Sequence, residues 1–262
     1  HLVLRRQRQM CIRDRGIIWT SCSPDFGVEG VVDRFGQIKP KLFFYSDGYY
    51  YNGKVYDSLK IAGQISNKIS SIQHEIVIPF IGKDCTNNKS SHKTYWSDII
   101  EIDADLHFES LPFDHPLYVL YSSGTTGSPK CIVHGAGGTL LQHLKEHILH
   151  YDIGKDDRLF YFTTCGWMMW NWMVSGLATG STLVIYDGSP FYNHGSILWD
   201  LAESENVTVF GVSAKYISAQ EKAAIKPRST HDLSSIKTIL STGSPLAPES
   251  FDYVYNDIKR DI

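Results

Sequence analysis

The chain has 262 residues, enough for one large core or two small ones. Its formal net charge of −3 provides no basic surface for nucleic acid, and no run of about eighteen apolar residues is present to cross a membrane. Five cysteines, an odd number without a C-x-x-C pair, read as reduced thiols in a cytoplasmic setting and argue against a zinc site.

The first fifteen residues stand apart. Arg5, Arg6, Arg8, Arg13 and Arg15 crowd there without an apolar period, and serine is absent, which counts against a transit peptide. Residues 1–15 are expected to be non-native or disordered, for instance a translated cloning junction. Ile17–Thr20 then reads as a strand. Ser23 reads as a helix cap, with Pro24 at the first helical position and Asp25 in the first turn. Val28, Val31, Val32 and Phe35 supply that helix with its apolar face. Lys41–Tyr45 is a predicted strand, and Tyr50–Tyr56 a hairpin turning on Asn52-Gly53. Asp57 is a predicted cap for a helix carrying Leu59, Ala62, Ile65, Ile69 and Ile72. Glu75–Phe80 is the next predicted strand, and Gly82–Tyr95 a polar surface loop.

The apolar run Leu117–Tyr121 reads as a buried strand. It leads into Ser122, Ser123, Gly124, Thr125, Thr126, Gly127, Ser128, Pro129 and Lys130, with the apolar Cys131–His134 directly after. Glycines let backbone N–H groups turn inward, hydroxyls add donors, and Lys130 adds a full charge, so the composition suits a phosphate. A Walker A loop is excluded: counted from Gly124, the required glycine is Pro129 and the required Ser or Thr is Cys131. The alternative is a flexible Gly/Ser/Thr surface loop.

Leu140–Ile148 reads as a helix. His143, His147 and His150 fall at helical i, i+4, i+7 spacing and are expected on the polar side of an amphipathic helix rather than as a metal face. Leu159–Phe162, Thr182–Tyr186, Val207–Phe210 and Ile236–Leu240 read as strands, with helices at Trp167–Leu177, Ile197–Glu205 and Ser213–Ala224. This alternation implies an α/β fold of mostly parallel sheets covered by helices. Ligands of such sheets sit beyond the carboxyl ends of the strands. Three segments hold that position: the loop after Tyr121, Thr163-Thr164-Cys165-Gly166-Trp167, and Ser241-Thr242-Gly243-Ser244-Pro245.

The Tyr121–Lys130 segment resembles the signature of the adenylate-forming enzymes, which include acyl-CoA synthetases, luciferases and peptide-synthetase adenylation domains. Gly16–Pro40 and Thr163–Leu177 resemble the acetoacetate–CoA ligases within that family. The resemblance runs from about Gly16 to the end of the chain. It implies an acid–thiol ligase that uses ATP and Mg2+ to turn acetoacetate into an acyl adenylate and then passes the acyl group to coenzyme A. Its partners are then small molecules, not nucleic acid or membrane. By match to the motif, Lys130, Thr125 and Thr126 are the catalytic candidates, with Thr126 also toward the metal. Ser122, Ser123, Gly124, Gly127 and Ser128 join them in the nucleotide cradle. Gly243, Ser244 and Pro245 match the segment along the adenine, although acetyl-CoA synthetases carry an acidic residue where this chain has Ser244. Trp167, Met168 and Met169 match the segment shaping the acyl pocket, where Thr242 is a further candidate. For Met169 the competing role is ordinary core.

The family's acidic magnesium signature, ribose aspartate, hinge and C-terminal domain with its lysine have no counterpart here. Residues 16–262 are therefore expected to be part of the N-terminal AMP-binding domain of a ligase, inactive alone. Two alternatives stay open: a synthetase for acetate, propionate or another short acid, and a non-catalytic nucleotide-binding module.

Overall fold

The computed structural model describes residues 15–82, 92–100, 108–122 and 127–262. The chain divides between Thr139 and Leu140 into two compact units.

In the first unit a parallel sheet is formed by β2 (Leu42–Ser46), β5 (His74–Ile78) and β6 (Lys93–Tyr95), in the order β2-β5-β6. Lys93–Tyr95, expected in a surface loop, instead pairs along β5, and Lys93 reaches Glu75 at 3.6 Å. Residues 83–91 of that expected loop lie outside the described residues. Helix α1 (Val28–Ile38) and helix α2 (Leu59–Lys68) close one core around Val31, Phe35, Phe43, Ala62, Ile65 and Ile69. Val28, Val32 and Ile72 pack at its rim. Between the two helices runs a hairpin, β3 (Gly48–Tyr51) and β4 (Lys54–Asp57). Asn52 and Gly53 turn it with positive φ of 49° and 74°, as a two-residue turn between twisted strands requires.

Two cap assignments change. Ser23 does not cap α1: its carbonyl accepts from Phe26 N–H at 3.1 Å, so Ser23-Pro24-Asp25-Phe26 is a β-turn. The helix starts later, after an extended Gly27 without a side-chain cap. Asp57 does reach the first turn of α2, accepting from Leu59 N–H at 2.9 Å, with Ser58 between them at the cap position. A short mixed sheet completes the unit. The strand β1, only Trp19–Thr20, runs parallel to β7 (Pro116–Tyr121), and β8 (Cys131–Gly135) runs antiparallel to β7. Helix α3 (Trp96–Ile100) follows β6.

Helix α4 (Ala136–Leu144) crosses the division and continues as a π-helical turn, Lys145–His150. The histidines do not lie on its polar side as expected. His143 and His147 are buried, His147 completely, while Leu141 and Leu149 are 61% and 75% exposed. Only His150 is exposed.

The second unit is built on a fully parallel sheet in the order β10-β9-β11-β12, formed by β9 (Arg158–Tyr161), β10 (Thr182–Val184), β11 (Val209–Ser213) and β12 (Thr238–Thr242). Its side chains alternate between two cores. Phe160, Phe210 and Val212 point to one, with Trp199 and Leu198 of α6 (Ile197–Ser204) and Ile217 of α7 (Ala214–Lys222). Leu159, Tyr161 and Val209 point to the other, with Trp172 and Met173 of α5 (Met168–Ser175). Short helices α8 (Pro227–Thr230) and α9 (Pro248–Tyr253) follow.

Gly211 sits in the middle of this sheet, and a Cβ there would lie 2.1 Å from the Tyr161 ring. That ring is fixed at its far end, its hydroxyl donating to the Val212 carbonyl at 3.1 Å. Gly211→Ala is therefore expected to cost about 1–3 kcal/mol, as overpacking a filled core does. Urea unfolding should show a lower midpoint at unchanged slope. An unchanged midpoint would mean that the ring yields without cost.

Candidate functional site

Strand β7 delivers the hydroxyl-rich loop, and its last residue is anchored. Tyr121 lies 6.5 Å from Phe35, and its hydroxyl accepts from Thr20 Oγ1 at 2.9 Å. The loop is then pinched shut at its base. Ser122 N–H donates to the Lys130 carbonyl at 3.0 Å, and Lys130 N–H donates to Ser122 Oγ at 2.9 Å. Gln37, from the last turn of α1, donates to the Pro129 carbonyl at 2.7 Å. Its role was not legible in the sequence, because its spacing to the loop is purely tertiary. Pro129 is buried, whereas Gly127, Ser128 and Lys130 are exposed. Gly127 has a φ of +150° with open space where a Cβ would stand. The ammonium of Lys130 makes no ion pair among the described residues and is available to an anion. Ser123, Gly124, Thr125 and Thr126 lie outside the described residues.

The other candidates share one edge of the second unit's sheet. Tyr161, Gly211 and Leu240 stand level across β9, β11 and β12, so the segments following β9 and β12 leave from the same carboxyl end, with β11 between them. Phe162 N–H still donates to the Gly211 carbonyl at 2.8 Å. A turn then closes from Trp167 N–H to the Thr164 carbonyl at 3.1 Å, and Trp167 takes the cap position of α5. Trp167 is 59% exposed and Met168 nearly half exposed, large apolar groups facing outward at a strand end. Met169 and Trp170 are half-buried against the core around Leu159 and Trp172, so Met169 has a packing role. Thr164 Oγ1 is buried without a hydrogen-bond partner among the described residues.

On the neighbouring segment, Ser241 and Thr242 are still strand residues, Thr242 paired with Ser213. The chain leaves the sheet at Gly243, whose φ of +90° favours glycine and whose Cβ side is open. Ser244 and Pro245 are exposed beside it. The edge thus offers an open backbone stretch after β12 and an aromatic and thioether surface after β9, one strand apart.

Cys165, between Thr164 and Trp167, carries the thiol of that segment. Burial pushes its thiol up to about 11, so it is not an activated thiolate.

The model of the AMP-binding enzyme family matches residues 12–260, beginning inside the arginine-rich segment. The chain is 53% identical over 255 residues to the acetoacetyl-coenzyme A synthetase of Rhizobium meliloti (strain 1021), covering 94% of this chain and 38% of that protein. It is 47% identical over 254 residues to the acetoacetyl-CoA synthetase of Mus musculus, with the same coverage. Against the malonamoyl-CoA synthetase of Penicillium aethiopicum it is 45% identical over 262 aligned positions, covering 92% of this chain and 36% of that protein. Among solved structures, the acetoacetyl-CoA synthetase from Streptomyces lividans superposes with a TM-score of 0.85 at 44% identity, over 92% of this chain and 36% of that one. The chain therefore spans well under half the length of the relatives it matches.

At pH 8 a thiol of this kind is thiolate in about one molecule in a thousand, against roughly a quarter for an unperturbed one. Iodoacetamide should accordingly modify Cys165 at least about tenfold more slowly in the folded chain than in urea. Peptide mass spectrometry measures both rates, and equal rates would refute the burial argument.

Proposed function

We propose that this chain, which belongs to the AMP-binding enzyme family, serves the ATP-dependent activation of acetoacetate to acetoacetyl-CoA. In the first step an acid oxygen attacks the α-phosphorus of ATP, the bond to pyrophosphate breaks, and an acyl adenylate forms. In the second the coenzyme A sulfur attacks the acyl carbon, the bond to AMP breaks, and the thiol proton leaves. The observation that carries the reading is the pinched loop with an exposed Lys130 at its end, without an ion pair among the described residues, in a chain 53% identical to an acetoacetyl-coenzyme A synthetase.

In this reading the loop residues Ser122–Ser128 and Lys130 receive the triphosphate, the ammonium opposing the charge that develops on pyrophosphate. Thr125 and Thr126 supply hydroxyl donors. Among the described residues there is no cluster of three metal-ligating side chains. Mg2+ keeps waters and phosphate oxygens and takes few protein ligands, and the hard hydroxyl oxygen of Thr126 is the candidate. When bound, the ion neutralises phosphate charge. Gly243, Ser244 and Pro245 receive the adenine along open backbone. Trp167, Met168, Met169 and Thr242 bound the acid, and their apolar surface excludes water from the adenylate. Residues 16–262 are, in this proposal, part of the large AMP-binding domain. No helix among the described residues is long and apolar enough to cross a membrane. The free thiols of Cys22, Cys131 and Cys165 support a cytoplasmic setting.

A second acid is favoured by one observation. Relatives named for acetoacetyl and malonamoyl groups match this chain at similar identity. Those acyl groups share a carbonyl at the third carbon and differ only in a terminal methyl against an amino group. The pocket is therefore proposed to read the second carbonyl, through the indole N–H of Trp167 or the hydroxyl of Thr242.

Two outcomes are expected of the full-length protein. In pyrophosphate exchange, acetoacetate and malonamate should exceed butyrate in kcat/KM by about tenfold, because an acid without the second carbonyl forgoes the hydrogen bond to that donor. Equal rates for butyrate would remove that donor from the pocket. Lys130→Ala or Thr126→Ala should lower exchange by an amount equivalent to about 3 kcal/mol while thermal unfolding stays in place. Unchanged exchange would take these residues out of the site.

A further inference from the structure

We infer that His147 is a positioning residue for the acid pocket, holding helix α5 by its last turn so that Met168 and Met169 stand correctly in its first. The inference rests on the preceding reading that this helix lines the acid.

The last turn of α5 is held from outside as well as from within. The helix tightens into a 3₁₀ turn, Gly176–Thr179. Gly176 N–H accordingly turns to Met173 and Val174 instead of the Trp172 carbonyl four residues back. Two side chains take that carbonyl in its place. Ser175 Oγ donates at 2.6 Å and His147 Nε2 at 3.0 Å, and Nε2 also lies 3.1 Å from Ser175 Oγ. His143 Nδ1 meets the same Ser175 oxygen at 2.9 Å. The Trp172 indole is gripped as well: its N–H donates to Glu146 Oε2 at 2.8 Å, and its ring lies 4.1 Å from the His147 ring.

The donation to Trp172 assigns the proton to Nε2 and leaves Nδ1 bare. That nitrogen is buried without a partner among the described residues. A buried nitrogen left unmatched is a cost, so the side chain is held there for its other end. The π-helical turn Lys145–His150 is what turns Glu146 and His147 together toward α5, and such turns recur at functional sites. Met168 and Met169 precede Trp172 by four and three residues and share its side of the helix. One turn of a rigid helix, about 5.4 Å, separates the clamp from the proposed pocket.

The test compares His147→Gln with His147→Asn in the full-length protein. Glutamine can place its amide N–H where Nε2 stands; asparagine reaches only the Nδ1 position, where no partner waits. His147→Asn should raise KM for the acid about five- to tenfold with KM for ATP unchanged. It should speed amide hydrogen exchange across Met168–Ser175 by a similar factor. His147→Gln should return both to within about twofold of wild type. The inference is overturned if the two variants behave alike, if KM for ATP rises together with that for the acid, or if both fail to fold, which would make His147 a folding residue only. Exchange of the helix amides needs no turnover, so it decides the clamp whichever acid is used. Wild-type protein that does not activate acetoacetate would instead sink the preceding reading.

Discussion

A parallel strand covered on both faces has no side left for polar chemistry, and this constraint arranges the second unit. Phe160, Phe210 and Val212 fill one core and Leu159, Tyr161 and Val209 the other, so every interior position of β9 and β11 is spent on packing. Polar groups appear where the strands end. Ser213 closes β11 and uses its hydroxyl at once, accepting from Tyr216 N–H to start α7. Thr242 and Gly243 leave β12 beside it, and Thr163 to Trp167 leave β9. The site proposed at this edge lies where the buried sheet leaves room for polar groups.

The same constraint explains what could be read in advance. Short apolar runs such as Leu159–Phe162 signal buried strands without help from tertiary context, and the helices between them follow from their own periodicity. Legibility fails where one local grammar serves two structures. Ser-Pro-Asp is both a helix start and a β-turn with proline in its second position, and at Ser23 the turn wins. Lys93–Tyr95 was unreadable for a different reason. A three-residue edge strand needs only backbone pairing along Glu75–Val77, and it carries no apolar signature. Gln37 could not be found at all, since nothing in α1 announces that its last turn will hold Pro129.

The histidines show the reverse failure. Helical spacing placed His143 and His147 together correctly, but the assumption that polar residues face outward put them on the wrong side. Burial of an imidazole is tolerable when its N–H finds an acceptor with a lone pair to spare. The Trp172 carbonyl, freed by the tightening at Gly176, is such an acceptor. Burial in turn holds His147 below its ordinary pKa, in the neutral form that leaves the partnerless Nδ1 without a proton. A one-dimensional pattern contains neither the tightening nor the π-helical turn.

The pinched loop shows why hydroxyls crowd this sequence. A Walker loop presents backbone N–H groups up to and beyond its lysine. Here that resource is spent at both ends. Ser122 N–H is taken by the Lys130 carbonyl, Lys130 N–H is taken by Ser122 Oγ, and Pro129 has no N–H to offer. Closing the base fixes the loop's span but removes those donors from any ligand of the loop. On the proposed reading, Lys130 then acts through its ammonium alone, and the missing donors have to come from side chains. Ser123, Thr125, Thr126 and Ser128 are the groups the sequence provides for that purpose, which makes the run of hydroxyls the consequence of how the loop is anchored.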